Sequence, residues 1–585
     1  MNTKKVRYEV DRRANCGRDS RSSERSVWNS STLLYKKRQT KMVVAGLFTI
    51  FRRTSCKLCV RPSLFALNRR ISTKHKHEDE KKWESVVGIE VHAQISSKAK
   101  LFSGSGTEFA ALINNRVAFL DVALPGTLPV LNKRCVEASV ITGLALSCDI
   151  NKVSKFDRKH YFYGDLPSGY QITQQRWPIA NNGRVEYDVL KPGSKTPVRK
   201  SVTVTQLQME QDSGKSIHDE EAKQVLIDLN RAGVGLMEII TAPEFSTGIE
   251  VAAFLKELQH ILLAIGTCDG KMEEGSLRVD ASVSIHHPGE PLGVRAEVKN
   301  INSIKNVAKA IDFEVKRQVA ELEKGNTIEN ETRSFDAESG ETVPMRDKER
   351  LHDYRFMPEP NLPPLRLYDN EEDVPEEEDK SQVVIINEMR RQMPELPEET
   401  RQRLSGQYAV SRQNIYILMN ESGLLEFFEE VMKVRSGAAG AARDVRLVVN
   451  WIVNDLLGKL NELDRKISEC NLTPAGFGEL VDLLHSRKIT NNIGLKVLSI
   501  MLECHPRDQK SPRDIVEENE WFAIHDEETI AKRCEEIIAA NPKAVAQFKR
   551  GKKKVFKYFV GEVHKLTNNC TNPKLVNKIL KEKLS

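Results

Sequence analysis

The sequence predicts an α+β fold, with a large antiparallel sheet in the first half of the chain and helices in the second half. Residues 83–365 contain short runs in which apolar and polar residues alternate, for example Ser201–Thr205, Leu277–Ile285 and Val294–Lys299. Such alternation is typical of strands that bury one side. Beyond an acidic run at 369–380, apolar residues recur at intervals of three and four, which predicts helices. Strands in one region and helices in another define the α+β class.

A few helices interrupt the predicted sheet, and helical spacing places them at Asn132–Leu146, Gly248–Ala264 and Ile304–Glu323. The acidic run DNEEDVPEEEDK repels itself and cannot bury a core, so it predicts a surface loop or hinge. Four units are therefore expected. They are a leader at 1–82, a sheet domain at 83–370, an acidic linker with a helical domain at 371–516, and a helical tail at 517–585.

The helices of the second half are predicted from periodicity and from one capping signal. Gln407–Val434 and Arg443–Asn461 have helical spacing of their apolar residues. Asn541 precedes Pro542, and a proline in the first turn after an asparagine N-cap is a common helix start.

The leader carries the basic character of the chain. The formal net charge is +7, yet residues 1–77 alone hold 20 Lys and Arg against 4 Asp and Glu. Met42–His77 contains no acidic residue and is rich in Arg, Lys and Ser. These features are typical of a transit peptide, here for the mitochondrial matrix, and Met42 is a possible true start. A disordered basic arm that binds nucleic acid is the alternative.

Composition excludes several classes of protein. The 585 residues are 39% hydrophobic and 29% charged, which is typical of a globular protein. The longest apolar run, Val43–Phe51, is far below the roughly 18 residues needed to span a bilayer. Among ten cysteines the one C-x-x-C motif, Cys56 and Cys59, lies in the leader and has no second pair. Neither a structural zinc site nor a disulfide framework is expected.

The strand predicted at Trp83–Ile95, WESVVGIEVHAQI, carries candidate chemistry on one side. Because side chains alternate between the two faces of a strand, Glu90 and His92 share one face and apolar residues occupy the other. An ordinary strand with its polar side in water gives the same pattern. If neighbouring strands also carry charged residues on the same face, a functional site is favoured over an ordinary solvent-facing strand.

Met209–Ser216, MEQDSGKS, ends like a phosphate-binding P-loop but is not one. A P-loop needs a glycine where this chain has Met209, and no other match to the motif exists in the chain. ATP, if used, is therefore held in another way. Glu210 and Asp212 remain as candidate oxygen ligands for Mg²⁺, with a charged turn as the alternative.

Two further strands carry charges on one face. Lys271–Asp280, KMEEGSLRVD, places Glu273 and Glu274 at a glycine turn before a strand with Arg278. The strand around Lys299 also alternates charged and apolar residues. Three such strands would form an acidic cradle ringed by cations. That arrangement suits metal-assisted phosphoryl transfer, in which the protein mainly positions and neutralises.

Two segments suggest nucleic-acid contacts. Tyr161, Tyr163 and Tyr170 lie among cations in a loop that could stack on a base or a 3′ terminus, with a partly buried surface loop as the alternative. The tail segment KRGKKK includes three consecutive lysines before a predicted helix, where cations oppose the helix dipole. A polyanion would explain that arrangement, and a solvated charge run is the alternative. These lysines are Lys552, Lys553 and Lys554.

Eight motifs in order resemble the B subunit of the aspartyl/glutamyl-tRNA amidotransferases, GatB. The helical part and the basic tail resemble that family's helical and YqeY-like tail domains, so the resemblance covers the whole chain after the leader. The motifs are GIEVHAQ (88–94), LPGTLPVLNK (124–133), KFDRKHYFYGDLPSGYQIT (155–173), MEQDSGKS (209–216), DLNRAGVGLMEI (228–239), KMEEGSLRVDAS (271–282), AEVKNINS (296–303) and DYRFMPEPNLPPL (353–365).

The resemblance implies a glutamine-dependent ligase that converts Glu-tRNA(Gln) to Gln-tRNA(Gln). The amidase of the complex, its A subunit, would release ammonia, and the small C subunit would complete the heterotrimer. This chain would use ATP and Mg²⁺ to phosphorylate the glutamate γ-carboxylate before ammonia displaces phosphate. DNA is not an expected partner. The chain itself has no Ser-His-Asp order, amidase signature or nucleophile elbow, so no glutaminase activity is expected of it.

The resemblance also implies site residues. The metal and phosphoryl site would fall on Glu90, His92, Glu210 and the pair Glu273 and Glu274, with Lys299 and Asn300 as further cofactor-binding candidates. Gln211 stands where bacterial relatives usually carry a carboxylate, which puts part of that ligand set in doubt. Because histidine is an unusual Mg²⁺ ligand, Mn²⁺ is a possible alternative. A non-catalytic tRNA-binding scaffold is the alternative function.

Overall fold

The computed structural model describes nine ranges of the chain: 83–194, 196–219, 221–345, 354–433, 443–504, 510–524, 526–552, 554–568 and 570–584. The predicted leader and Lys553 lie outside these described residues.

Strands dominate the first half of the described chain. Their bounds are β1 Glu84–Gln94, β2 Asp149–Ile150, β3 Val153–Ser154, β4 Asp157–His160, β5 Tyr170–Thr173, β6 Ala180–Val189, β7 Val198–Gln211, β8 Lys215–Asp219, β9 Gln224–Asp228, β10 Gly235–Thr241, β11 Leu277–His286, β12 Ala296–Lys299, β13 Thr332–Asp336, β14 Glu341–Pro344, β15 Arg355–Pro358 and β16 Leu365–Arg366.

Twelve of these strands form one sheet, ordered β14-β13-β12-β11-β1-β10-β7-β5-β4-β15 with β6 and β2 branching from β7. The prediction of a large sheet is confirmed, but the sheet is mixed rather than purely antiparallel, because β12 and β13 run parallel. The long helix between these two strands reverses the chain, which allows the parallel pairing. Strand β1 lies near the middle, between β10 and β11.

Three helices accompany the sheet: α1 Lys133–Ala145, α2 Gly248–Ala264 and α3 Ile304–Glu323. All three predicted helices are therefore confirmed. Helix α2 begins at an N-cap, Thr247, whose side chain accepts a hydrogen bond from the Glu250 N–H. Helix α2 packs against β6 and α3 against β11. The apolar side of β1, including Ile89 and Val91, is buried in the same core as these helices, which leaves the side bearing Glu90 open.

The second half is helical. The bounds are α4 Ile386–Arg391, α5 Pro397–Tyr408, α6 Arg412–Asn420, α7 Leu424–Lys433, α8 Val445–Asn450, α9 Leu457–Leu463, α10 Pro474–His485, α11 Asn491–Glu503, α12 Pro512–Glu518, α13 Glu527–Ala540, α14 Pro542–Lys549, α15 Val555–Leu566 and α16 Pro573–Leu584. A π-helical turn, Trp451–Leu456, joins α8 to α9. No helix of the described residues is long and apolar enough to cross a membrane.

The helical run predicted over Gln407–Val434 is broken twice. Ala409 ends α5 in the left-handed conformation, with φ of 51°, and Gly423 precedes α7 with φ of 76°. Both conformations stop a helix. Asn541 is the N-cap of α14 by position, but its side chain accepts from the Tyr558 hydroxyl rather than from the helix.

Three hydrophobic cores underlie this architecture. The first lies beneath the sheet and continues to Met389, the second begins at Leu404, and the third gathers α13, α15 and α16. An ion pair links the first two regions: Arg401 of α5 donates to both carboxylate oxygens of Glu257 on α2, at 2.6 and 2.9 Å. The domain limits given above stay predictions.

Candidate active site

The open face of the sheet brings polar side chains of three strands together at its centre. On β1, His92 lies directly opposite Glu238 of β10 and opposite Arg278 of β11. Glu90 lies opposite Asp280 of β11. Directly opposed residues of antiparallel strands are within contact distance, so the sheet topology itself assembles this group.

Glu90, His92 and Glu238 form a cluster with the geometry of a cation site. Each offers a ligand atom, and these atoms all lie within 4.8 Å of one another. The His92 Nε2 atom is 3.4 Å from Glu90 Oε1. Glu238 is the most buried of the three, with 4% of its surface exposed.

The pKa values of the two carboxyl groups in this cluster shift in opposite directions. Burial raises the pKa of Glu238 well above its ordinary value, and the neighbouring carboxylates of Glu210 and Glu90 raise it further. Burial acts in the same direction on Glu90, but His92 and a hydrogen bond with Glu238 lower the pKa of Glu90 below its usual value. Of the two, Glu238 has the higher affinity for a proton, as expected when like charges share one site.

The cluster fits a divalent metal ion. Mg²⁺ is usually held by one or two carboxylates together with water and substrate phosphates, and Glu90 and Glu238 supply two. An imidazole beside two carboxylates also suits Mn²⁺. Burial and the negative charges of Glu210 and Glu90 raise the pKa of Glu238. A bound cation would offset these negative charges.

Glu210 lies beside the cluster on β7, outside the group of three. It is buried, and its Oε1 atom accepts a hydrogen bond from Gln171 while lying 4.0 Å from Lys159 Nζ. Its other oxygen, Oε2, is buried and has no hydrogen-bond partner among the described residues. The positive charge of Lys159 also interacts with the carboxyl group of Glu238, so Lys159 connects Glu210 to the cluster.

Gln211, the departure from the bacterial pattern, does not join this group. Its side-chain oxygen accepts a hydrogen bond from the Ile172 N–H at 3.0 Å. Adjacent residues of a strand face opposite sides, and Glu210 is the one directed towards Lys159. The amide in place of a carboxylate therefore lies outside the cluster of Glu90, His92 and Glu238.

Lys299 reaches the cluster from β12, and Asn300 does not. The Lys299 ammonium is 2.8 Å from Asp280 and 3.3 Å from Glu297. Burial lowers the pKa of Lys299, but these carboxylates raise it well above its ordinary value, so the side chain stays cationic. Asn300 has a positive φ of 60° and donates to the Ser334 hydroxyl at the surface.

Glu273 and Glu274 lie in the turn between α2 and β11, and the structure does not bring them into the cluster. Glu274 pairs with Lys271 at 2.8 Å. It lines a separate cavity at the end of β1 together with Gln94. The turn precedes Leu277, the first residue of the strand that carries Arg278.

The three predicted tyrosines have different surroundings. Tyr161 lies closest to the cluster, because its hydroxyl donates to Gln171, which in turn donates to Glu210. Burial, followed by the charge of Glu210, raises the pKa of Tyr161. Tyr163 packs edge-on against Tyr161 with ring centroids 5.6 Å apart. Tyr170 stacks under the guanidinium of Arg158.

The predicted basic residues of the tail lie far along the chain from the cluster. Lys552 and Lys554 are exposed, just before α15, and Lys553 lies outside the described residues. Lys554 also lines a shallow cavity with Tyr558 and Asn541. A cation, an aromatic ring and an amide at one surface are compatible with a nucleic-acid contact.

Sequence reasoning missed Glu238 and Lys159. Glu238 lies in the motif DLNRAGVGLMEI, but its strand, GLMEIIT, is buried along almost its whole length, so no alternation marks the acid as a site residue. The available signal was a single carboxylate in an otherwise apolar strand, because such a group is rarely buried without a partner. Lys159 lies in the tyrosine-rich motif among other basic residues, and nothing in the sequence distinguishes it from them.

The fold and the cluster define a class of α+β protein in which carboxylates, an imidazole and lysines lie together on the open face of a sheet, without a P-loop. Comparison with known proteins agrees with this description. Residues 85–372 match the family model of the GatB/GatE catalytic domain, and residues 426–584 match a second model described as the GatB domain.

Curated relatives cover most of the chain. A Danio rerio protein, named as the mitochondrial B subunit of glutamyl-tRNA(Gln) amidotransferase, is 50% identical over 516 residues, 87% of this chain and 92% of the relative. The Homo sapiens protein of the same name is 50% identical over 507 residues, 86% of this chain and 89% of the relative. The aspartyl/glutamyl-tRNA(Asn/Gln) amidotransferase B subunit of Rickettsia rickettsii (strain Sheila Smith) is 45% identical over 504 residues, 86% and 98% of the two chains. The chain belongs to the GatB family, which confirms the resemblance.

Proposed function

We propose that this chain is the B subunit of a glutamyl-tRNA(Gln) amidotransferase and that it activates and amidates the glutamate carried by Glu-tRNA(Gln). The reaction makes it a ligase that forms a carbon–nitrogen bond with glutamine as the amido donor. Family membership and the names of the relatives support this assignment. The observation that carries the catalytic role is the cluster of Glu90, His92 and Glu238 on the open sheet face.

The chemistry explains why such a site needs cations and a phosphoryl donor. A carboxylate resists attack by ammonia because it is anionic and lacks a good leaving group. Transfer of the γ-phosphoryl group of ATP to the glutamate oxygen gives an acyl phosphate and ADP, and ammonia then displaces phosphate to give the amide. Lys159 and Lys299 lie where they would neutralise anionic oxygens in both steps.

Glu90, His92 and Glu238 would hold Mg²⁺, with Mn²⁺ as an alternative, and the ion would supply positive charge to the transferred phosphoryl group. Glu210 is not in this group, but it is linked to the group through Lys159, whose Nζ atom lies 4.0 Å from Glu210 Oε1. We assign it to positioning Lys159 and Gln171, because its Oε1 atom contacts both of these side chains. Within the described residues, Glu274 and Asn300 have no contact with the cluster that would support a direct catalytic role.

The chain has an exposed surface for partner subunits, which would be the amidase, or A subunit, and the small C subunit. The segment 109–130, here called the apolar loop, contains no helix or strand. Large exposed apolar patches mark protein interaction sites. A seal over this loop would let ammonia pass between subunits without protonation in bulk water. Its exposed apolar residues are Phe109, Leu112, Ile113, Phe119, Val122, Leu124, Leu128 and Val130.

The apolar loop is anchored rather than loose. Lys100 and Asp121 form a fully buried ion pair at 2.9 Å beneath it. Asn114 donates to the Ile227 carbonyl at 2.9 Å, and Asn230 donates to the Leu112 carbonyl at 2.7 Å. These contacts hold the loop to the rest of the domain, and a loop held in place loses less conformational entropy when a partner binds.

The helical tail, from 517 to 585 and similar to YqeY, would bind the tRNA through Lys552, Lys553 and Lys554. The rings around Tyr161 would accept the 3′ terminus near the cluster. The names of the animal relatives support a mitochondrial location. We place the protein in the matrix, where residues 1–82 would act as the transit peptide that directs import.

The substitution Glu90→Gln, in the complex reconstituted with its partner subunits, tests the catalytic role. We expect tRNA binding to be retained and ATP hydrolysis that depends on Glu-tRNA(Gln) to be lost, because the amide cannot neutralise a bound cation. Glu338→Gln, in an exposed turn between β13 and β14, is the matched control. ATP turnover equal to that of the unmodified protein would instead favour a tRNA-binding scaffold without catalytic function.

A further inference from the structure

A chain of three glutamines ends on Glu238, and the proposed function does not use it. The chain runs from Gln175 through Gln206 to Gln208, which donates a hydrogen bond to Glu238 Oε2. We propose that Gln208 is a positioning residue: it keeps Oε2 of Glu238 occupied, so that Glu238 meets a cation with one oxygen, and this favours small divalent ions over Ca²⁺. The inference rests on the proposed function, because it needs the cluster to bind a metal ion.

Strand register places Gln208 at the end of the row that forms the cluster. Directly opposed side chains on one face of a sheet are within contact distance, and Gln208 is opposed to Glu238. Gln208 is completely buried, with 0% of its surface exposed, so its polar atoms need partners within the protein. The row crosses four neighbouring strands, β11, β1, β10 and β7, at Arg278, His92, Glu238 and Gln208.

A backbone carbonyl fixes the direction of the hydrogen bonds in this chain. The Gln175 carbonyl can only accept, and it accepts from Gln206 Nε2 at 3.2 Å. The second N–H of the same amide donates to Gln208 Oε1. Because its oxygen is occupied in this way, Gln208 presents its Nε2 atom to Glu238. A flipped Gln208 amide would place two acceptors together at one end and two donors together at the other.

The Gln208 amide holds the Glu238 carboxyl group without adding charge. One of its N–H groups donates to Glu238 Oε2, and Nε2 also lies 3.4 Å from the side-chain oxygen of Gln175. A lysine at this position would pair with Glu238 and compete with a cation. A further acid would add to the negative charge of Glu210 and Glu90 around Glu238. A neutral donor fixes the carboxyl group and leaves its attraction for a cation intact.

The number of oxygen atoms that a carboxylate offers decides which ion it suits. Ca²⁺ takes about six to eight oxygen ligands and often both oxygens of one carboxylate, whereas Mg²⁺ demands a near-octahedral set at shorter distances. With Oε2 held by Gln208, Glu238 has its other oxygen for the cluster. Loss of this hydrogen bond would let the carboxylate rotate and offer both oxygens, which favours the larger ion.

Mn²⁺ binding to the complex reconstituted with its partner subunits, followed by electron paramagnetic resonance with Ca²⁺ as competitor, tests the inference. Gln208→Met fills a similar volume but cannot donate a hydrogen bond. It should raise the Kd for Mn²⁺ by about tenfold, the lower end of the effect of removing a residue that supports a metal ligand. The Kd for Ca²⁺ should change less, so the preference for Mn²⁺ over Ca²⁺ should fall severalfold.

Gln206→Met is a second variant, at a half-buried position that tolerates substitution better. It removes the donor that orients the Gln208 amide, so it should lower the same preference by a smaller factor. Gln413→Met, at an exposed position of α6, is the matched control and should bind both ions like the unmodified complex. Circular dichroism shows whether each variant folds, and Gln206→Met decides the matter if Gln208→Met does not.

An equal rise in the Kd for both ions would mean that Gln208 only supports the fold around the cluster, and it would overturn the inference. Unchanged Kd values in both variants, with normal Mn²⁺ binding by the unmodified complex, would overturn the inference alone. Failure of the unmodified complex to bind Mn²⁺ would contradict the metal site of the proposed function, and the inference with it.

Discussion

Glu238 lies directly opposite His92 on the neighbouring antiparallel strand, and their ligand atoms are within 4.8 Å of each other. The two residues are 146 positions apart in sequence. They meet because β1 is inserted between β10 and β11, and this strand order brings three separate polar positions into one cluster.

Glu238→Gln should weaken metal binding while leaving the fold intact. The amide preserves shape and hydrogen bonding but removes one negative ligand, and loss of even supporting residues around a metal costs about 10- to 100-fold in affinity. Titration with Mn²⁺, followed by electron paramagnetic resonance, would measure the change. Glu338→Gln should bind Mn²⁺ like the unmodified protein, and equal binding by both variants would exclude Glu238 as a ligand.

Metal binding should strengthen as pH rises through the raised pKa of Glu238, because the ion displaces the proton held there. In the absence of metal, the stability that Glu238 contributes should be greatest at low pH. It should decline once pH exceeds the ordinary glutamate pKa of 4.5, where the unfolded chain releases a proton that the folded chain keeps.

Thermal unfolding across this pH range, with and without Mg²⁺, provides the measurement. The decline with pH should be smaller in Glu238→Gln, whose side chain cannot titrate, and Mg²⁺ should oppose it in the unmodified protein. Identical pH profiles for the two proteins would show that the proton does not reside on Glu238.

Substitution of Leu112 and Phe119 by serine should release partner subunits without destabilising the chain. Both side chains are largely exposed, so their removal costs little folding free energy, within about 0.5 kcal/mol. Co-purification and the Tm of the free chain would be measured together. Serine at Val198 and Val343, which are exposed elsewhere, should leave the complex intact. Retention of both partners by the Leu112 and Phe119 variant would exclude the apolar loop as the docking surface.

Reversal of charge at Lys552 and Lys554 should weaken tRNA binding and flatten its dependence on salt. Each phosphate contact that is lost lowers the slope of log Kd against log salt by about one. Affinities measured at several salt concentrations would give that slope. Lys191→Glu combined with Lys324→Glu, two exposed lysines of the sheet domain, controls for the same change in net charge. An unaltered slope in the tail variant would mean that Lys552 and Lys554 only face solvent.

Local signals predicted the individual elements well. Helix α2 begins and ends as predicted, because the apolar period of Gly248–Ala264 agrees with the Thr247 cap. Periodicity alone could not find the breaks at Ala409 and Gly423, since a single left-handed residue interrupts a helix without changing the apolar spacing. The prediction of an antiparallel sheet was wrong at one pair, β12 and β13, which run parallel. The direction of a strand depends on the connection that precedes it, and local alternation does not reveal that connection.

The site was only half visible in the sequence. Glu90 and His92 stand out on an alternating strand, whereas Glu238 is concealed in a strand buried on both sides. The acids of the turn at Glu273 and Glu274 were attractive as a pair, yet a pair in sequence is not a pair in space. Which faces meet follows from strand order, and strand order is a property of the whole fold.

The opposite pKa shifts of Glu90 and Glu238 have a consequence for assembly. The raised pKa favours the neutral form of Glu238, so the folded chain does not need a divalent ion to hold two carboxyl groups in one buried site. Small zinc domains differ, because they fold only around their metal. Under the proposed function, the protein would fold first and exchange a proton for an ion when it binds nucleotide.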